Sequence, residues 1–343
     1  ALATAAQPRA VVPVDEEISV GEVLRLVDTA QPALAGVGEA IQAGRQDEAV
    51  ARLAEHFARR TTPVLPPAVF PGVGEGNSMT VIRPRDDRQQ ADTTWMRHRF
   101  SLRNNDAGTV ETYDLGESFE WMHNPSEALS WVLYLNQLNH LAGLAGLYQS
   151  TRDEAYATEV AASIESWVRQ CPRWYGYTNK GTLTPSPMEV RNRLCNIVAA
   201  YDILRASPSL TPARHLAFWK FIIAACRELC TYNGVSYPGL IPAAVMFPEF
   251  TENAEWMRAG EANLRLSLEQ RTSPEGAWDT HSISYQTVSV PWSARVLEFL
   301  RANPGHAQTE AMADMVTTQI GKLLGLMLWL AMPNGGLPNI GDT

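Results

Sequence analysis

Apolar residues recur at intervals of three and four along almost the whole chain. VGEVLRLVDTA, PALAGVGEAIQAG and QDEAVARLAEHFARR show this spacing before residue 60 and predict two or three short helices there. A proline-rich segment, 61–78, interrupts the period. The polar stretch 80–116 that follows predicts a loop wrapping the surface. From residue 125 the pattern is regular, and helices are predicted at 126–149, 153–170, 187–205, 211–231, 238–246, 252–271, 288–302 and 307–332. The period-two alternation of strands is nearly absent. The longest apolar run, LLGLMLWLAM at 323–332, predicts a buried helix and falls short of the ~20 residues a bilayer span needs.

Long helices, apolar on one face and joined by short Pro, Gly and Asn turns, make the fold all-α. A bundle, a solenoid or a closed toroid of hairpins would each satisfy this pattern. No repeat of fixed period favours a tetratricopeptide-like or ankyrin-like array. The organisation reads as an N-terminal part, 1–78, of short helices and linker, and a helical part, 79–343, continuous with it.

Composition narrows the classes. With 343 residues, 45% of them hydrophobic, the chain has ample material for a large core. A net charge of −9 without a basic run argues against nucleic-acid partners, while a few arginines focused in a cleft can still hold an anionic ligand. Cys171, Cys195, Cys226 and Cys230 form no Cys-x-x-Cys pair, so zinc-binding and thioredoxin-like readings are weak, and no metal or cofactor is read from them. Cys226 and Cys230, four apart on a helix, read as small buried apolar residues. The small, polar opening ALATAAQPRAVVPV is expected to follow a removed signal peptide, implying a periplasmic or secreted protein with no membrane association.

Five stretches, in order, resemble the helical domain of the heparinase II/III-like superfamily of polysaccharide lyases. They are FEWMHNPSEALSWVLYLNQLNHLAGLAGLYQSTRDEAYA (119–157), SPMEVRNRLCNIVAAYDIL (186–204), YNGVSYPGLIPAAVMFPEF (232–250), SPEGAWDTHSISYQ (273–286) and MPNGGLPNIGD (332–342). The resemblance implies an incomplete (α/α) toroid, with the β-sandwich that usually follows not present in this stretch. It also implies cleavage of a uronic-acid polysaccharide by β-elimination, with glycosaminoglycans of heparan or chondroitin type favoured over alginate. Departures accompany the matches. Asn233 is followed by Gly234 where the family has histidine, Gln286 stands for a histidine after Tyr285, and Gln137 replaces an arginine.

The chemistry needs specific groups. Removing the C5 proton of a uronate builds charge on a carboxylate that is already ionised, so donors must face it. Asn233 suits that role, as an uncharged amide donor. Tyr285, 52 residues later, suits the acid and base steps if positive charge lowers its pKa. His281 stands four residues before Tyr285 and is a candidate partner or base.

Plainer accounts compete. Asn-Gly is a common turn, Tyr285 alone would be a half-buried aromatic, and His281 a solvated loop histidine. Glu189 and Arg193, spaced i,i+4, would pair on one helix, or Arg193 would grip a substrate carboxylate or sulfate bidentately. His140 reads chiefly as a hydrogen-bonded structural histidine. Trp121 and Trp278, flanking the polar motifs, are the expected sugar platforms, with Gln137, Glu189, His140, Asn124 and Tyr237 as further candidate substrate contacts. Remaining alternatives are a uronyl C5-epimerase, a glycoside hydrolase on a similar toroid, and a glycan-binding domain whose catalysis has lapsed.

Overall fold

The computed structural model describes residues 18–66, 92–171, 176–177, 183–184, 187–232, 237–279, 282–304 and 307–338. The architecture is all-α, with helical hairpins laid side by side as in an incomplete (α/α) toroid. The N-terminal helices are α1 (Val20–Arg25), α2 (Ala35–Gln42) and α3 (Gln46–Arg59). Ser19 caps α1 by accepting from the Glu22 amide at 3.1 Å. In α3, Asp47 and Glu48 open the helix and His56 and Arg59 close it, matching the helix dipole. Its buried stripe, Ala49, Val50, Leu53, Ala54 and Phe57, follows the predicted period. Phe57 meets the rings of Trp219, Tyr201, Phe247 and Phe250 at centroid distances of 5.3–6.2 Å, so these helices share the main core.

The main body consists of α4 (Leu129–Asn136), α5 (Asn139–Thr151), α6 (Glu154–Gln170), α7 (Pro187–Leu204), α8 (Pro212–Leu229), α9 (Tyr237–Met246), α10 (Asn253–Arg265), α11 (Ile283–Ala302) and α12 (Ala307–Leu330). Helix α7 is central. It packs on α5, α8 and α9, and most of its side chains are buried. Asp153 caps α6, and Thr211, followed by Pro212 at the first helical position, caps α8.

Several expectations are corrected. The stretch read as a surface loop holds a hairpin, β1 (Arg99–Asn104) and β2 (Thr109–Asp114), paired from Arg99 with Asp114 to Asn104 with Thr109. Phe100, Leu102 and Asn104 alternate inward under it, a period-two signal masked by polar neighbours. A two-residue pair, β3 (Gly176–Tyr177) and β4 (Leu183–Thr184), adds a second small sheet. The single helix expected at 126–149 breaks because Leu138 takes a left-handed backbone (φ 58°) between α4 and α5. Near the end of the helix expected to 271, five residues form a π turn, Leu266–Gln270. Helix α11 begins at Ile283 rather than 288, placing Tyr285 in its first turn. The end of α12 is not buried: Leu328 and Trp329 are 77% and 89% exposed. Cys226 is buried as expected, whereas Cys230 is only partly so.

Candidate functional site

The start of α7 is where separate parts of the chain converge. Gln137, at the break before α5, donates from Nε2 to Glu189 Oε1 at 3.4 Å, in the first turn of α7. Asn196, two turns along, donates to the Gln137 carbonyl at 2.9 Å and to Asn139 Oδ1 at 2.7 Å. On the other flank, the Cys195 thiol lies 3.3 Å from the carbonyl of Pro238 in the first turn of α9. The starts of α5 and α9 therefore bracket the first half of α7. Helix α11, whose first turn carries Tyr285, packs on α9.

A residue that sequence reasoning passed over ties this region together. Asn136 ends α4 and is buried. Its Nδ2 donates to the carbonyls of Trp121 (2.8 Å) and Val132 (3.0 Å), and its Oδ1 accepts from Trp167 Nε1 at 2.9 Å. The backbone carbonyl of Asn136 accepts from Arg193 Nη1, also at 2.9 Å. The available signal was an asparagine inside the apolar run VLYLNQL, which has to find partners when buried.

Arg193 departs from the plainer of its two readings, a direct ion pair with Glu189, although the Glu189 charge still favours its cationic form. It forms no salt bridge there. Instead its guanidinium lies over the Trp167 ring, 4.9 Å from the centroid, and is 1% exposed. Burial depresses its pKa to about 10, which leaves it charged at neutral pH. Nε and Nη2 have no hydrogen-bond acceptor. Glu189 and Gln137, both substrate candidates, are buried beside it.

The remaining candidates separate. Trp121 is 1% exposed, stacks on His140 and meets Phe119 edge-on at 4.6 Å; as a packed core ring it offers no face to a sugar. Its Nε1 donates to Ser166 at 3.3 Å. His140 is caged by Trp95, Phe100 and Trp121, and burial lowers its pKa to about 3, so it remains neutral. Asn124, half-buried, donates to the Ala128 carbonyl at 3.1 Å and shapes the turn into α4. Trp278 is half-buried, with an Nε1 that finds no acceptor. Asn233 and His281 lie outside the described residues, as do the side chains of Tyr285 and Tyr237. Gln286, where the resemblance implies histidine, is buried and donates to the carbonyls of Gly276 (2.9 Å) and Leu323 (3.1 Å), fastening the 273–278 turn to α12.

A cavity of about 720 Å³ lies elsewhere, between α6 and the loop after β2; of the candidates only Trp121 touches it. His98 and Glu159 sit in its wall, joined at 3.0 Å, and His98 Nδ1 lies 2.8 Å from the Gly116 carbonyl. Among the described residues no group of three metal-type side chains gathers, and no helix is long and apolar enough to cross a membrane.

Known proteins place the chain. Heparin-sulfate lyases of Bacteroides stercoris and Pedobacter heparinus are 25% identical over 266 residues and 21% identical over 317 residues, covering 70% and 90% of this chain. Those matches take in 37% and 46% of the relatives, so the chain spans less than half their length. The crystal structure of heparan sulfate lyase HepC from Pedobacter heparinus shares the fold at a TM-score of 0.71 and 18% identity, over 93% of this chain and 49% of that one. The heparinase III BT4657 gene product does so at 0.70 and 19%, over 94% and 50%. Residues 23–343 match the model of the heparinase II/III N-terminus. The chain belongs to the heparinase II/III family.

Proposed function

We propose that the chain is the helical part of a lyase that cleaves a uronic-acid-containing glycosaminoglycan by β-elimination. The observation that supports this reading is the meeting of the starts of α5, α7 and α9, where Gln137 and Glu189 touch. Helix starts present unpaired amides and the positive end of the dipole, an environment that favours an anion even in an acidic protein. The heparin-sulfate lyases among the relatives point to a heparan- or heparin-type polymer.

In this reading the Asn233 amide faces the uronate carboxylate. Tyr285, as phenolate, takes the C5 proton; the C4–O bond breaks as the C4–C5 double bond forms, and the leaving oxygen receives a proton from the same phenol. Arg193 and Glu189 bind and orient substrate, and His281 supports the phenol. Secretion to the periplasm or beyond suits a polymer too large to enter a cell.

Incubation with heparan sulfate should raise the ultraviolet absorbance of a conjugated unsaturated uronate, and Tyr285→Phe should lower that rate by about 10²–10⁴-fold. An unchanged rate in the variant would remove Tyr285 from the mechanism. The absence of any absorbance with heparan, chondroitin or alginate polymers would favour a second reading, a glycan-binding domain whose catalysis has lapsed. Gln286 supports that reading, since a structural clamp occupies the place of a family histidine.

A further inference from the structure

Tyr285 stands in the first turn of α11, and Gln286 follows it by one peptide bond. The first amides of a helix have no partner within it, so a first turn opens readily unless something outside the helix ties it. Gln286 supplies such a tie. It is 2% exposed, and its backbone amide donates to the Ser282 carbonyl at 3.2 Å. Its side-chain Nε2 donates to the carbonyls of Gly276 (2.9 Å) and Leu323 (3.1 Å), and its Oε1 lies 3.5 Å from the Trp278 amide.

The anchor it grips is closed on itself. The Asp279 amide donates to the Arg271 carbonyl at 2.9 Å, the Ser273 amide to the Ala277 carbonyl at 2.8 Å, and Arg271 Nε to the Asp279 carboxylate at 2.7 Å. The tip of this hairpin lies against α12 at Gly276, where φ is 94° and a Cβ would collide with the Lys322 carbonyl. One buried side chain therefore joins three segments: the first turn of α11, the hairpin that carries Trp278, and α12. A neutral imidazole carries one N–H where a carboxamide carries two. A histidine in this place could hold one of the two carbonyls, whereas Gln286 holds both.

We infer that Gln286 is a positioning residue, which fixes the backbone carrying Tyr285 against the Trp278 hairpin and α12. Its effect on turnover rests on the lyase reading; its effect on where the phenol sits does not.

The protein labelled with 3-fluorotyrosine reports the phenol directly by ¹⁹F NMR, and the Tyr285 signal is the one lost in Tyr285→Phe. Gln286→Leu, which keeps the bulk and removes both donors, should shift or broaden that signal and leave those of the other tyrosines in place. A general loosening of the fold would disturb them all. Gln286→His, which regains one N–H, should bring the signal part of the way back. With heparan sulfate, Gln286→Leu should lower kcat about 10–100-fold while KM changes less than about twofold, because a misplaced phenol slows the proton steps and leaves binding intact. An unmoved Tyr285 signal in Gln286→Leu overturns the inference, and so does a moved signal with unchanged kcat. A moved signal in a protein that cleaves no uronate polymer leaves the positioning in place and removes the lyase reading. If Gln286→Leu does not fold, Gln286→Asn decides, since its amide is too short to span both carbonyls; there too an unmoved signal overturns the inference.

Discussion

Two buried guanidinium groups, Arg60 and Arg193, solve the same problem in opposite ways. Arg60 follows α3, and its side chain is 5% exposed; it lies over Phe57 at 4.5 Å and gives Nη1 to both Glu249 oxygens at 2.8 and 2.9 Å. His56 adds a third contact to Glu249 at 2.9 Å. Burial pushes the Glu249 carboxyl up, but the bonds from His56 and the charge of Arg60 outweigh this and hold its pKa below the ordinary value. Arg193 has an aromatic platform too, but the buried Glu189 carboxylate acts on it by charge without a direct ion pair. Nε and Nη2 lack acceptors in both residues, so orphaned nitrogens alone do not distinguish them. Direct pairing does. Arg60 is neutralised by a direct ion pair that fastens α3 to the α9–α10 connection, whereas Arg193 is held by a backbone carbonyl, an aromatic ring and the charge of Glu189 without such a pair.

This contrast is broken most severely by removing the neutralising group. Glu249→Gln leaves Arg60 buried and uncompensated, and should cost about 3–5 kcal/mol of stability, read from the denaturant midpoint. Asn136→Ala should cost about 2 kcal/mol, because Trp167 Nε1 and the Trp121 carbonyl lose a buried partner together. Arg193→Met should fall within about 1 kcal/mol of the parent. The lost bond to Asn136 is offset by removal of a desolvated charge. If Arg193→Met is as damaging as Glu249→Gln, Arg193 is a structural group and the contrast fails.

Much of the scaffold could be read in the chain. Helix α7 was expected at 187–205 and runs 187–204; α8 was expected at 211–231 and runs 212–229. There a proline or a capping threonine coincides with the onset of the apolar period. The hairpin escaped because Phe100 and Leu102 alternate over too short a span to stand out from polar surroundings. The break at Leu138 escaped because the apolar period runs straight through it, and only the backbone reverses hand. At the site, the meeting of Gln137 and Glu189, 52 residues apart, left no signal in the periodicity. Helical spacing offers an ion pair with Glu189 as the plainer of the two readings of Arg193. Tertiary packing decided otherwise, because α4 ends against α7 and offers the Asn136 carbonyl first. The exposed end of α12 shows the converse: an apolar sequence states that a face will avoid water, not what will cover it.

The mildest test concerns a third ion pair, intermediate between the two arginines. His98 has acceptors on both ring nitrogens, the Gly116 carbonyl and the Glu159 carboxylate. A neutral imidazole carries one N–H, so only the imidazolium makes both bonds. The hydrogen bond to Glu159 raises the His98 pKa against the opposing effect of burial. Burial also pushes Glu159 up, yet the bonds from His98 and Ser163 leave it lowered. The sign follows from linkage. The His98 contribution is complete below its unfolded pKa of about 6.5 and is lost as pH rises through the raised folded value. The Glu159 contribution is complete above its unfolded value and is lost as pH falls through the lowered folded one. The thermal midpoint should therefore fall more steeply on the alkaline side of about pH 6.5 in the parent than in His98→Gln. Amide exchange at 116–121 should quicken over the same range. The alkaline loss belongs to a pair whose cation is an imidazolium and can titrate. Equal slopes in parent and variant would show that the imidazolium contributes nothing to holding this loop.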